Sequence, residues 1–404
     1  MSDTTLTVGF IPLLDCAALV VAGEKGFAAA EGIDLRLVRE NSWASIRDRL
    51  LVGHFDAAHL LGPMTVASSL GIGHLTVPLI APFALGFGGN AVTFSTPLAE
   101  EMRRHGVRPG DGPRIQGEAL ARVVAKRAAA SQPPLTFGMV YPFSCHNYEL
   151  RYWLAAVGID PDRDVRLVVV PPPLLVDTML AGHLDGFCVG EPWNSVAVEA
   201  GVGSIAFGTT SIWRRSPEKV LGCRADWAER HPDELAALLR AVYRASEWCG
   251  DEANHGELAR LLAPTQWVGA PAGVLERALS GRLALTRSSA PTKLAGFFSP
   301  FEDGATFPWV SHALWFYSQM VRWGQVAWSP SHVAAVGWTY RPDLYRNALA
   351  TLGVQAPDVD LRIEGGVAAT DSRSPGAFFD DVVFDPSQLE AYIASLPFSR
   401  LVTA

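Results

Sequence analysis

The sequence predicts an α/β protein of two similar lobes around a cleft, on three observations. Short β-branched runs alternate with helical patterns through the first 220 residues, the signature of βαβ units. Gly53-His54-Phe55-Asp56-Ala57 recurs 129 residues later as Gly182-His183-Leu184-Asp185-Gly186, with Pro63 and Pro192 at the same offset, the mark of a duplicated half. Two further short strands, over 91–95 and 219–224, stand where the chain would cross between lobes, as a two-strand hinge.

The elements follow in order. The first lobe reads as a strand over 5–11, helix 17–31, strand 33–38, helix 43–52, strand 56–60, a helix after Pro63 and a strand over 75–79. Gly86 to Gly89 make a turn, and the polar stretch holding Pro109, Gly110, Asp111, Gly112 and Pro113 is the expected passage into the second lobe. There the pattern repeats: strand 135–140, helix 147–157, strand 165–170, helix 174–181, strand 185–189. Beyond Asp226 the chain turns helical, over 227–248 and 273–285. An aromatic-rich loop region over 297–328, expected to pack back on the first lobe, and a helix over 389–396 complete it. Lobe I is thus expected from residues 1–94 and 220–404, and lobe II from 95–219.

With 404 residues, 49% of them hydrophobic, two sizeable cores are affordable. Acidic residues outnumber basic ones, 41 to 33, without long runs of either sign, which argues against a nucleic-acid or anionic-membrane surface. No apolar stretch reaches the roughly 18 residues of a membrane span. Cys16, Cys145, Cys188, Cys223 and Cys249 form no C-x-x-C pair, so neither zinc nor a disulfide framework is expected. The start lacks a basic region followed by an apolar core and a cleavage site, so with Met1 as the native start the expected location is cytoplasmic.

Ligands of open α/β sheets sit outside the carboxyl ends of the strands. The residues there are Trp43, Asn90, the run Ser144-Cys145-His146-Asn147, Glu191 and Lys219. Nearly all are donors, as a small oxyanion without a proton to give requires. Trp43 and Asn147 open helices, whose free amides favour an anion, and Lys219 supplies the countercharge. The expected ligand contacts are Trp43, Asn90, His146 and Lys219, with Ser144, Asn147 and Glu191 behind them. Each has a plainer use: a core tryptophan, a turn asparagine, a capping histidine, a surface lysine, a capping glutamate. Cys145 beside His146 lacks an orienting acid, so no catalytic residue is assigned. His54, His59 and His183 with Asp56 and Asp185 read as duplicated structural residues rather than metal ligands.

Several segments resemble one family. These are Gly9-Phe10-Ile11-Pro12-Leu13 through Glu24-Lys25-Gly26-Phe27, Gly190-Glu191-Pro192-Trp193-Asn194, Pro217-Glu218-Lys219-Val220-Leu221-Gly222, Ser311-His312-Ala313-Leu314-Trp315-Phe316 and Tyr340-Arg341-Pro342-Asp343-Leu344-Tyr345. Together they are similar to the nitrate/bicarbonate-binding proteins of ABC importers, over nearly the whole chain. The resemblance implies a type II periplasmic-binding-protein fold with a helical C-terminal extension, no cofactor and no enzymatic activity. It implies nitrate contacts at Trp43, His146 and Lys219, with Asn90 in the place of the family's longer glutamine. With the start read as native, it points to the NasS-type cytosolic nitrate/nitrite sensors, which hold a NasT-like RNA-binding antiterminator inactive until the anion binds. The alternative is the substrate-binding component of a nitrate/bicarbonate-type importer. Nitrate or nitrite is expected over bicarbonate, whose O–H needs a carboxylate acceptor, because Glu191 is the only acid expected near the cleft and is assigned to capping.

Overall fold

A computed structural model describes residues 4–73, 77–365 and 378–402. Eleven strands lead through the two lobes: β1 Thr4–Phe10, β2 Ile33–Arg39, β3 Ala57–Leu61, β4 Leu79–Ala84, β5 Phe87–Gly88, β6 Asn90–Ser95, β7 Thr136–Met139, β8 Arg166–Val169, β9 Gly186–Gly190, β10 Gly203–Gly208 and β11 Lys219–Arg224. One sheet has the order β2-β1-β3-β11-β4 and the other β10-β6-β9-β7-β8. In the first, β1 runs parallel to β2 and β3, and β11 lies antiparallel between β3 and β4. In the second, β7 runs parallel to β8 and β9, and β6 lies antiparallel between β9 and β10. This is the expected two-lobed α/β architecture.

The repeated pentapeptide has one physical job in both lobes. Asp56 Oδ2 accepts the Thr7 amide at 2.8 Å, and Asp185 Oδ2 accepts the Thr136 amide at 2.8 Å. In return the Asp56 amide donates to Thr7 O and the Asp185 amide to Thr136 O. Gly53 and Gly182 turn the chain at φ 79° and 76°, a conformation that favours glycine. Phe55 then packs over Gly9, and Leu184 over Gly138. One aspartate ties β3 to β1 and the other β9 to β7, so Asp56→Ala and Asp185→Ala should each cost about 1–3 kcal/mol. Urea unfolding of the two variants checks this; a cost in one lobe only would break the equivalence.

The chain departs from the sequence reading in several places. The helix over 17–31 is two pieces, Ala17–Glu24 and Phe27–Ala30, broken at Gly26 with φ 76°. The strand expected over 75–79 falls partly outside the described residues, and β4 begins at Leu79. The polar stretch after residue 95 is no crossing: Ser95 caps a helix Thr96–Arg104, and Pro113 opens another, Pro113–Ala129, both in the second lobe. The strand read as the first hinge, over 91–95, is instead internal to the second sheet, so the chain passes between sheets just before Asn90 and again between β10 and β11.

The C-terminal region packs on more than the first lobe. Helix Pro232–Gly250 lies on Ala17–Glu24 of the first lobe. Helix Val310–Arg322, within the region read as loop, is buried along every residue, its polar side chains Ser311, His312, Ser318, Gln319 and Arg322 included. Its neighbours reach the second lobe: Tyr148 Oη donates to Gln325 at 2.6 Å, Tyr152 Oη to Asp380 at 3.0 Å, and Phe378 stacks on Trp213 at 4.8 Å between centroids. Among the described residues no helix is long and apolar enough to cross a membrane.

Candidate functional site

Four strand ends and two helix starts converge between the sheets. Ser42 caps helix Trp43–Leu51, its Oγ accepting the Ser45 amide, and this places Trp43 in the first helical turn. Ser144 does the same for helix Cys145–Ala156 through the Asn147 amide, placing His146. Gly88 and Gly89, at φ 68° and 87°, turn the chain so that Asn90 opens β6 opposite Gly190. Lys219 opens β11 opposite Leu61.

The structure brings Trp43, Asn90, His146 and Lys219 together, all at most 1% exposed. The Lys219 ammonium lies 5.9 Å from the centre of the Trp43 ring. The residues expected behind them serve the scaffold instead. Ser144 Oγ donates to Tyr141 O at 2.7 Å besides capping its helix. Asn147 donates to Pro142 O and accepts from Arg151. Glu191 Oε2 accepts the Ser195 amide at 3.3 Å, the helix-end role expected of it.

The expectation that overturns is the absence of other acids. Asp15, Glu149 and Glu218 are all buried within the same cluster. Lys219 Nζ lies 2.9 Å from Asp15 Oδ2 and also donates to Glu218 Oε2. Asn90 Nδ2 donates to Glu218 Oε1 and approaches Glu149 Oε2 at 3.4 Å. His146 Nε2 stands 4.0 Å from Glu218 Oε2. His59, edge-on to Trp43, approaches Asp15 Oδ1 at 3.0 Å through Nε2. Lys219 is therefore no free countercharge.

Burial and charge set the protonation states. Burial would push Asp15 up, but Lys219 and His59 hold it well below the usual carboxylate range. Burial likewise works against the Lys219 ammonium, yet Asp15 and Glu218 keep it charged and raise it. Glu149 is driven well above the usual range by burial and by Glu218. Glu218 is pushed up to about 7 by burial, against the pull of Lys219. His146 falls well below its ordinary value through burial and Lys219, and His59 falls through burial against the pull of Asp15, so both imidazoles are neutral. Cys145 donates Sγ–H to Glu218 O at 3.2 Å, and burial, aided by Glu218, raises the thiol far above thiolate chemistry.

Glu191 carries a pH signature of its own, being raised to about 7 by burial. A folded-state value above the unfolded one means that the native protein binds more protons between about pH 4.5 and 7. Stability must then fall as pH rises through that window, by about 3 kcal/mol for a group so shifted. Glu191→Gln keeps the acceptor for Ser195 and should remove that share of the slope. Thermal melts of both proteins between pH 4.5 and 7.5 decide; parallel curves would remove Glu191 as the cause.

Buried polar groups are nearly always hydrogen-bonded. Among the described residues Trp43 Nε1, both ring nitrogens of His146 and Asn90 Oδ1 have no hydrogen-bond partner. Two of these side chains come from opposite lobes and lie beside one ammonium, a donor set suited to a small anion. Among the described residues there is no cluster of histidine, cysteine, aspartate and glutamate arranged to hold a metal ion. Sequence reasoning missed Asp15, Glu149 and Glu218. Their signals were present: Asp15 follows β1 as Trp43 follows β2, Glu149 is one turn after His146, and Glu218 adjoins Lys219.

Residues 1–263 match the model of the NMT1-like family. The chain is 33% identical over 407 residues to the nitrate/nitrite binding protein NrtA of Nostoc sp. PCC 7120, covering 99% of this chain and 87% of that protein. It is 34% identical to the bicarbonate transport ATP-binding protein CmpC of Synechococcus elongatus, covering 99% of this chain but 56% of that protein. The crystal structure of the periplasmic nitrate-binding protein NrtA from Synechocystis PCC 6803 superposes with a TM-score of 0.87 at 31% identity, covering 97% of this chain and 98% of that one. The aliphatic sulphonate binding protein SsuA of Escherichia coli shares the fold at a TM-score of 0.55 and 14% identity, covering 85% of this chain and 99% of that one. The chain belongs to the NMT1-like family, and within it to the nitrate/bicarbonate-binding proteins of ABC importers.

Proposed function

We propose that this protein is the solute-binding component of an ABC importer and that its ligand is nitrate or nitrite. The observation that carries the reading is the set of unpartnered buried donors, Trp43 Nε1 and the His146 ring, contributed by the two lobes to the cluster around Lys219. A planar monoanion with acceptors only satisfies such donors without bringing a proton of its own. The names of the relatives support it, as binding or transport proteins for nitrate, nitrite or bicarbonate. Because the donors are divided between lobes, the closed form binds the anion more tightly than the open form, and closure is the state a permease would read. The expected acid-free site no longer argues against bicarbonate, since an ionised Glu218 would accept its O–H. The preference for nitrate rests on the donors. Calorimetric titration with nitrate, nitrite, bicarbonate and sulfate tests it: nitrate or nitrite should bind at least tenfold more tightly than the others. Preference for bicarbonate, or binding of none, would refute it.

The sensor reading takes second place, because the relatives named above are importer proteins. One observation favours a cytoplasmic setting: all five cysteines are unpaired and buried. A sensor would release a NasT-like antiterminator when nitrate binds, and by linkage that partner would weaken nitrate affinity by the same factor. Equal nitrate affinities with and without the partner would exclude it.

A further inference from the structure

The carboxyl of Glu218 sits on the donors an anion would use. One of its oxygens takes the Asn90 amide, and the other takes Lys219 Nζ and lies 4.0 Å from His146 Nε2. Glu218 therefore acts as a resident anion, and an incoming one competes with it for Lys219. Among the described residues the charges around it include no second cation in contact with it. Asp15, from the turn after β1, already holds Lys219 at 2.9 Å. Glu149 and Cys145 face it from helix Cys145–Ala156, and His146 on that helix is neutral. Cys188 of β9 and Tyr340 add thiol and phenol groups whose ionisation Glu218 opposes, and His59 reaches it only through Asp15. Two buried carboxyls, Asp15 and Glu218, thus share one ammonium, with the Glu149 carboxyl beside them. Adding an anion while Glu218 stays ionised would place two negative charges on one donor set at low dielectric.

We propose that Glu218 is a proton-linked, ligand-contacting residue: the anion enters together with one proton from solvent, which rests on the Glu218 carboxyl and turns it from competing acceptor into donor. The inference rests on the oxyanion reading above. No bond to the anion forms or breaks; the only transfer is one proton from water to Glu218 on binding and back on release.

Nitrate does not titrate between pH 5.5 and 9, so it is the probe. Free Glu218 releases its proton at about 7, so affinity should be level below that value and weaken about tenfold per pH unit above it. Calorimetry in two buffers of different ionisation enthalpy, neither a sulfonate nor a phosphate, should show proton uptake rising from near zero at pH 5.5 towards one at pH 8.5. Glu218→Gln should remove both the slope and the uptake and bind nitrate more tightly than the native protein at pH 8.5. Level native affinity with identical heats in both buffers overturns the coupling alone, and a slope persisting in Glu218→Gln removes Glu218 from it. No nitrate binding at any pH overturns the oxyanion reading, and the coupling with it. Should the variant fail to fold, the buffer dependence of the native protein still decides.

Discussion

Lys219→Ala should abolish nitrate binding, with a loss beyond 100-fold, and should also destabilise the empty protein by about 3–5 kcal/mol. The sequence suggested a countercharge, and a free countercharge could be removed with the fold intact. The structure contradicts the second half, because Lys219 neutralises Asp15 at 2.9 Å and bonds Glu218, both buried. Removing one partner of a buried ion pair leaves an uncompensated charge, which costs more than the pair itself contributes. Asp15, held low by Lys219, would protonate more readily in the variant, so the loss should be greatest at neutral pH and smaller towards pH 4. A Lys219→Ala, Asp15→Asn double variant should recover much of the stability and none of the binding. Urea unfolding and calorimetry read the two effects separately. Native-like affinity in Lys219→Ala would remove the lysine from the site, and native-like stability would mean that the cluster carries no net cost.

Trp43→Phe is the second large effect, and it separates binding from packing. The phenyl ring keeps the edge contact with His59 and the face presented to Lys219 but lacks Nε1–H. A hydrogen bond to a charged group contributes about 1.5–3 kcal/mol, so nitrate affinity should fall between about 10- and 150-fold. Stability should fall by about 1–2 kcal/mol, the cost of a smaller ring in a buried place, with no contribution from the lost N–H, which has no partner in the protein. His146→Ala attacks the same anion from the other lobe, and in the double variant the losses should be less than additive. Unchanged nitrate affinity in Trp43→Phe, measured by calorimetry, would assign Trp43 to the core alone.

What could be read from the sequence was whatever a local pattern encodes. Strand alternation gave both sheets, and the pentapeptide repeat gave the duplicated lobes, because Asp56 and Asp185 each lock a parallel pair from the same position. Trp43, Asn90, His146 and Lys219 were legible because strand ends and helix starts mark the cleft. The acids were not. Which face of helix Cys145–Ala156 meets the cleft decides whether Glu149 is solvated or buried, and composition does not say. Glu218 beside Lys219 reads as a surface pair until β11 is seen to lie inside a sheet. The reach of the C-terminal region onto the second lobe was equally hidden, since a helix buried on every side, polar residues included, does not name its neighbours.

The central claim is that donors from both lobes close on one small oxyanion beside Lys219, and a crystal structure of the nitrate complex tests it most directly. Nitrate oxygens should lie within hydrogen-bond distance of Trp43 Nε1 and a His146 ring nitrogen, next to the Lys219 ammonium. Nitrate bound elsewhere, or Trp43 and His146 still without partners in a nitrate-saturated crystal, would contradict it.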